Sequence, residues 1–305
     1  MNQRVEQPWI TEVLSEPDWR ERQQAHRERH AEFLEREVKR RSQHRKDPTM
    51  DFMFEYYNYS PADVLRWTPG FGVLLQGAGA KEFLKNSRYV ECESGVYLSL
   101  EQLVHRRRAI TWVRDLLQTT TDREPFYGCY CIHEWALLYH SKLLHPTFEL
   151  RVSPEDIAAH VESGPIQCTH FEAYRFFSDQ AKALCEVPLD RNTMMETEQS
   201  GCLHTNMDLF RWSYKLAPWV SGELVAGAFE VACKARTLDS STCPYDLTPA
   251  GLQPTPIETE KGRELFVERQ KAIRDEAMPL RRSLLDLYNH ILHWMDEPWA
   301  DLLWR

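Results

Sequence analysis

The sequence predicts a mainly α-helical fold with a minor β component, one compact helical domain carrying a few short strands. Three observations lead there. Stretches with capping residues at their starts and apolar side chains at helical spacing fill most of the chain. Strand-like runs are short and bounded by turn residues, and no internal repeat or low-complexity segment interrupts the pattern. At 305 residues, 42% hydrophobic and 27% charged, the chain is long enough to bury a substantial core.

Each element has its own signal. Ser15, Glu16, Pro17 and Asp18 open a helix: a capping hydroxyl, acids in the first turn, and proline where no backbone donor is needed. The segment from Trp19 to Lys46 interleaves acids and bases around a thin apolar set (Ala25, Ala31, Phe33, Leu34, Val38), which reads as a solvated helix along one edge. Residues 1–48 are accordingly expected to form a charged helical arm, and residues 49–305 the mainly helical catalytic domain. Asp51 to Tyr59 is rich in aromatics and precedes a short helix starting at Ser60 and Pro61. The glycines between Gly70 and Gly79 read as turn residues. Tyr89 to Leu98 reads as a hairpin, and Ser99 to Thr119 as a helix. Phe148 to Val152 suits a strand, Ser153 to Asp156 a capping box, and Ile166 to Phe171 an extended segment. Helices follow over Leu203–Leu216, Ser221–Leu238 and Glu258–Trp294, the last interrupted or bent at Pro279.

A formal net charge of -9 does not favour a non-specific polyanion binder, because nucleic-acid affinity rests on Lys and Arg neutralising phosphates. A local basic groove keeps DNA open as a partner. The N-terminal residues lack the apolar core of a secretory signal, and no run is long enough to span a membrane, so a cytoplasmic protein is expected. Eight cysteines without paired C-x-x-C spacing read as reduced, mostly buried thiols. The glycines match neither a phosphate loop nor a dinucleotide fingerprint, so no nucleotide cofactor is expected, and no Gly-x-Ser-x-Gly elbow is present.

The chemistry centres on Gly128 to Tyr139, an apolar run expected to form a buried helix with His133 and Glu134 in its middle. A carboxylate there loses water at a cost of several kcal/mol unless it is paired, protonated or bound to metal. On a helix these neighbours diverge by about 100°, so only one is expected to face a common centre. Two further segments set histidine beside acid. Cys168, His170 and Glu172 would share one side of an extended strand, and His204 and Asp208 share one face of a helix. Together they supply donors for a divalent Fe, Mn or Zn ion, or acid–base groups without one. We therefore expect an enzyme with His133, His170, Glu172 and His204 as metal donors and Glu134, Asp208 and Tyr245 as catalytic groups. Arg236, with Asp239 nearby, Asp246, Tyr57 and Trp135 are the expected contacts for a small, nucleobase-like or aromatic substrate. A non-enzymatic helical scaffold would instead seal His133 and His204 in separate places.

Several blocks resemble a bacterial, largely actinobacterial family of about 300 residues labelled 3-methyladenine DNA glycosylase. They are Asp51 to Tyr57, Leu65 to Gly72, His133 to Ala136, Thr169 to Phe171 with Arg175 to Phe177, Gly201 to Leu209, Pro244 to Leu247 and Ile257 to Thr259. The blocks span most of the chain, and those around His133 and His204 are the most specific. Met50 stands where the family is expected to have a histidine. The resemblance implies hydrolysis of the N-glycosidic bond of an alkylated purine in DNA repair, with a carboxylate activating water and aromatics stacking on an extruded base.

Overall fold

The computed structural model describes residues 7–64, 66–141 and 147–297, without the side chains of Leu34 and Pro48. Leu65, in one block of the resemblance, and residues 1–6, read above for a secretory signal, lie outside it. The chain is mainly α. Its helices are α1 (Glu16–Ser42), α2 (Pro48–Tyr56), α3 (Pro61–Val64), α4 (Arg107–Asp122), α5 (His133–Leu138) and α6 (Pro154–Glu162). Then come α7 (Phe171–Tyr174), α8 (Asp179–Lys182), α9 (Met194–Thr197), α10 (Leu203–Lys215), α11 (Gly222–Ser241) and α12 (Glu260–Asp296). Strands β1 (Glu12–Leu14), β2 (Val73–Leu75), β3 (Tyr89–Cys92) and β4 (Gly95–Leu98) form one sheet in the order β1-β2-β4-β3.

The expected hairpin is β3 and β4, joined antiparallel from Tyr89 opposite Leu98 to Cys92 opposite Gly95. Glycine is required at that turn, because a Cβ on Gly95 would sit 2.2 Å from the carbonyl oxygen of Leu75. The expected helix from Ser99 splits into a tight 3-10 stretch, Glu101–Arg106, and then α4. Phe148 to Val152 contributes only an isolated bridge, Leu150 to Tyr245.

The N-terminal segment is tied to the rest of the chain at several points. β1 lies parallel to β2, and the buried Trp19 indole donates to the carbonyl of Gln76 (2.9 Å). Arg40 reaches Asp51 on α2 (2.7 Å). Charge still dominates its outer face, where Val38 of the expected apolar set is 60% exposed.

The centre of the molecule is helical. α10 and α11 pack along one another, and α12 crosses both and also carries α4. α12 runs through Pro279 without a break. The missing backbone donor is outweighed by burial on both sides of it, at Ala277, Met278, Arg281, Leu284 and Leu285.

Candidate active site

α5 is shorter than its apolar run suggests. Tyr130 and Cys131 both adopt the left-handed region (φ 45° and 53°), which reverses the chain immediately before His133. The turn carries Cys131 into the interior, 2% exposed. α5 then docks through Trp135, whose buried indole donates to the carbonyl of Thr242 (2.8 Å), and leaves His133, Glu134 and Leu137 to line a 230 Å³ pocket. Both members of the His133–Glu134 pair line this pocket.

α10 supplies the opposite wall. His204, Asp208 and Arg211 at helical spacing fall on one face. The Asp208 carboxylate, 1% exposed, is met by Arg211 (3.2 Å), the Tyr57 hydroxyl (3.3 Å) and His170 Nε2 (3.3 Å). Burial favours its neutral form, but Arg211 and His170 hold its pKa below the ordinary carboxylate value.

His170 is the N-cap of α7, its Nδ1 accepting the Ala173 N–H (3.3 Å). The chain therefore turns helical directly after it, and Glu172 leaves the row expected for an extended strand. Glu172 instead pairs with Arg175 (3.1 Å) and accepts from the Tyr56 hydroxyl (3.4 Å). His170 Nε2 also faces Glu198 Oε1 (3.7 Å), a fully buried carboxyl. Burial pushes Glu198 up to about 7. Burial alone would lower His170, but Glu198 and Asp208 outweigh it and raise the ring to about 9. The capping bond, however, needs Nδ1 unprotonated. With Nδ1 accepting, the ring's proton toward Asp208 and Glu198 is carried on Nε2.

A second buried carboxylate, Asp239 of α11, organises the other end. It has no exposed surface, and its Oδ2 accepts from Arg236 (2.5 Å). Its Oδ1 has no hydrogen-bond partner, yet lies 3.6 Å from His133 Nδ1 and 3.7 Å from His204 Nε2. Burial works against its charge, but His133, His204 and Arg236 drive its pKa far below the carboxylate range. The three imidazoles link the two ends: His204 stacks on His170 (5.4 Å between centroids) and meets His133 edge-on (4.7 Å).

Among the described residues, one group of donors is close enough to share a metal ion: Cys131, His204 and Asp239, with ligand atoms all within 4.8 Å of one another. This differs from the donors expected from sequence. Only His204 is common to both sets; His133 touches Asp239 from beside the group, and His170 and Glu172 are engaged elsewhere.

Of the expected site residues, Tyr57, His133, Glu134, His170, Glu172, His204, Asp208 and Arg236 all line the pocket. Tyr245 lines an adjoining 450 Å³ cavity, which shares Phe52, Glu134 and Arg236 with the first. Trp135 and Asp246 belong to neither. Trp135 is a packing residue, and Asp246 accepts from the Thr248 N–H (2.9 Å) and hydroxyl (2.6 Å) to shape a turn. Cys131 read as a core thiol, and Arg211 carried no signal beyond its place seven residues after His204. No protein-family model, curated protein or solved structure matches the chain.

Proposed function

We propose that this protein is an enzyme that acts on a small, flat, ring-bearing substrate in the 230 Å³ pocket, using buried imidazole and carboxylate groups aided by a divalent transition metal. One observation carries the reading. Imidazoles from three separate elements stand in ring contact at the wall of one pocket, with the buried Asp208 carboxylate in the same wall and the buried Asp239 carboxylate behind it, against His133 and His204. Desolvated charge of this kind is costly to a fold and is concentrated where chemistry is done. A scaffold that merely satisfied its core would seal these histidines apart.

Size and lining support the substrate class. An apolar cavity of about 150 Å³ holds benzene, so a slightly larger one suits a one- or two-ring compound. Phe52 and Tyr56, stacked at 4.8 Å, and Phe176 provide flat apolar surface. Glu134 and Asp208 are placed to move protons, while Arg236 and Tyr57 contact the substrate's polar edge. The orphaned Asp239 Oδ1 suits a site completed by a cation, which would supply Lewis-acid character beside the pocket. A reducing, cytoplasmic setting would keep Cys131 available as a thiol.

Metal analysis of protein purified without a histidine tag tests this reading. About one equivalent of a transition metal, lost in His204→Ala, is expected; no metal in either protein removes the metal from the mechanism.

The pocket's capacity for a single base also favours a second reading, in which the substrate is an alkylated purine extruded from DNA, as the family resemblance implies. Duplex DNA carrying such a base should then yield abasic sites, with Glu134→Gln or Asp208→Asn abolishing the product. No product at stoichiometric enzyme leaves the small-molecule substrate as the reading.

A further inference from the structure

We infer that Cys131, His204 and Asp239 form an open, three-donor site for a thiophilic divalent cation of the zinc class, with its fourth position facing the pocket. This rests on the reading that the pocket carries a metal, and it adds the donors, the metal class and the vacancy in the protein's ligand set.

The spacing is the first argument. Zinc bonds of about 2.0–2.1 Å to nitrogen and 2.3 Å to sulfur, arranged tetrahedrally, separate neighbouring donor atoms by about 3.3–3.6 Å. His204 Nε2 and Asp239 Oδ1 are 3.7 Å apart, too far for a hydrogen bond and close to that span. The Asp239 oxygen is buried and accepts from no nitrogen or oxygen donor, with only the weakly donating Cys131 thiol beside the carboxylate, a state that costs free energy unless something more electropositive meets it.

Donor chemistry selects the ion. Magnesium and calcium require shells of oxygen, whereas a thiolate beside one imidazole and one carboxylate suits a softer ion. The thiol must lose its proton to bind, so cation uptake and proton release at Cys131 are coupled.

Surrounding contacts fit a held metal site. Arg236 takes Asp239 Oδ2 and leaves Oδ1 for the ion, which makes it a positioning residue. The ring of His204 also meets the thiol of Cys202. His133 is not a fourth member of the close group. Its Nδ1 approaches Asp239 from the pocket wall, and its Nε2 lies 3.8 Å from Glu134 Oε1. Three protein donors leave one tetrahedral position, the arrangement of catalytic rather than structural zinc.

Cobalt(II) is the probe. The metal-free protein should take up one equivalent, and give intense visible bands of a tetrahedral ion with a near-ultraviolet thiolate-to-cobalt band. Cys131→Ser should lose the near-ultraviolet band, and Cys129→Ser should keep it. Arg236→Gln should keep it too, with affinity weakened by about tenfold to a hundredfold. Azide added to the cobalt protein should shift the visible bands by entering the free position. Iron or manganese in the purified protein, without a thiolate band on cobalt loading, overturns the inference and leaves the metal reading standing. Absence of any metal binding overturns both. A cobalt spectrum indifferent to azide shows a closed centre and rejects the open position. Circular dichroism of Cys131→Ser separates loss of the ligand from loss of the fold: if that variant is unfolded, the azide response and the Arg236→Gln titration decide.

Discussion

Asp239 is charged, sealed from solvent and held by Arg236, His133 and His204. Truncating it strands a buried guanidinium, so Asp239→Ala should destabilise the protein by about 3–5 kcal/mol in urea unfolding. Asp239→Asn, which keeps the shape and an acceptor for Arg236, should cost markedly less stability, while metal uptake falls as far as in the alanine variant. Equal loss of stability in the two would show that the charge itself holds the fold. At this scale the histidines and acids were legible in the sequence, because an ionisable group in an apolar stretch demands compensation wherever the chain takes it. The place of Cys131 beside His204 and Asp239 was not, since a thiol beside polar groups and a core thiol have the same apolar sequence neighbours. Trp135 looked like substrate surface for a similar reason: sequence does not say which side of a short helix docks on the body.

Caps, the hairpin and the α10 face were readable because each depends on residues a few positions apart. The length of α5 was not, because the left-handed turn at Tyr130 and Cys131 carries no local sequence signal such as a glycine at those positions. Long-range ties of this kind also set the response to acid. Arg151 chelates Glu258, just before α12, at 2.5 and 3.0 Å. Burial alone would raise the Glu258 pKa, but hydrogen bonds and charge from Arg151 lower it below its ordinary value. A depressed folded pKa contributes stability above the unfolded value, about 4.3, and loses it as the pH falls toward the folded one. The stability gap between the native protein and Arg151→Leu should therefore be full above about pH 5 and narrow below about pH 4. It should not close entirely. Arg151 also donates to the carbonyl of Cys243 (3.0 Å) and packs on Trp135, contacts that do not titrate with Glu258. A gap independent of pH would rule out the ion pair as its source.

For the molecule as a whole, topology ties down a segment that charge density marks as solvated. Residues Trp19 to Lys46 have the composition of a solvated arm, yet β1 completes the sheet and Trp19 is wholly buried against it. Trp19→Ala should cost about 3–5 kcal/mol, read as a lower urea midpoint in a single transition. A separate early transition would instead show that the segment unfolds independently of the body. The same compactness brings the two cavities together, with Phe52, Glu134 and Arg236 in the lining of both and the Arg236 guanidinium 4.2 Å from the centre of the Phe52 ring. That stacked pair is a wall common to both cavities, and a common wall bears on how fast species exchange rather than on how tightly they are held. Phe52→Ala should accelerate both loading and escape of the ion by a similar factor in stopped-flow measurements, leaving the equilibrium constant within about twofold because none of the three donors is altered.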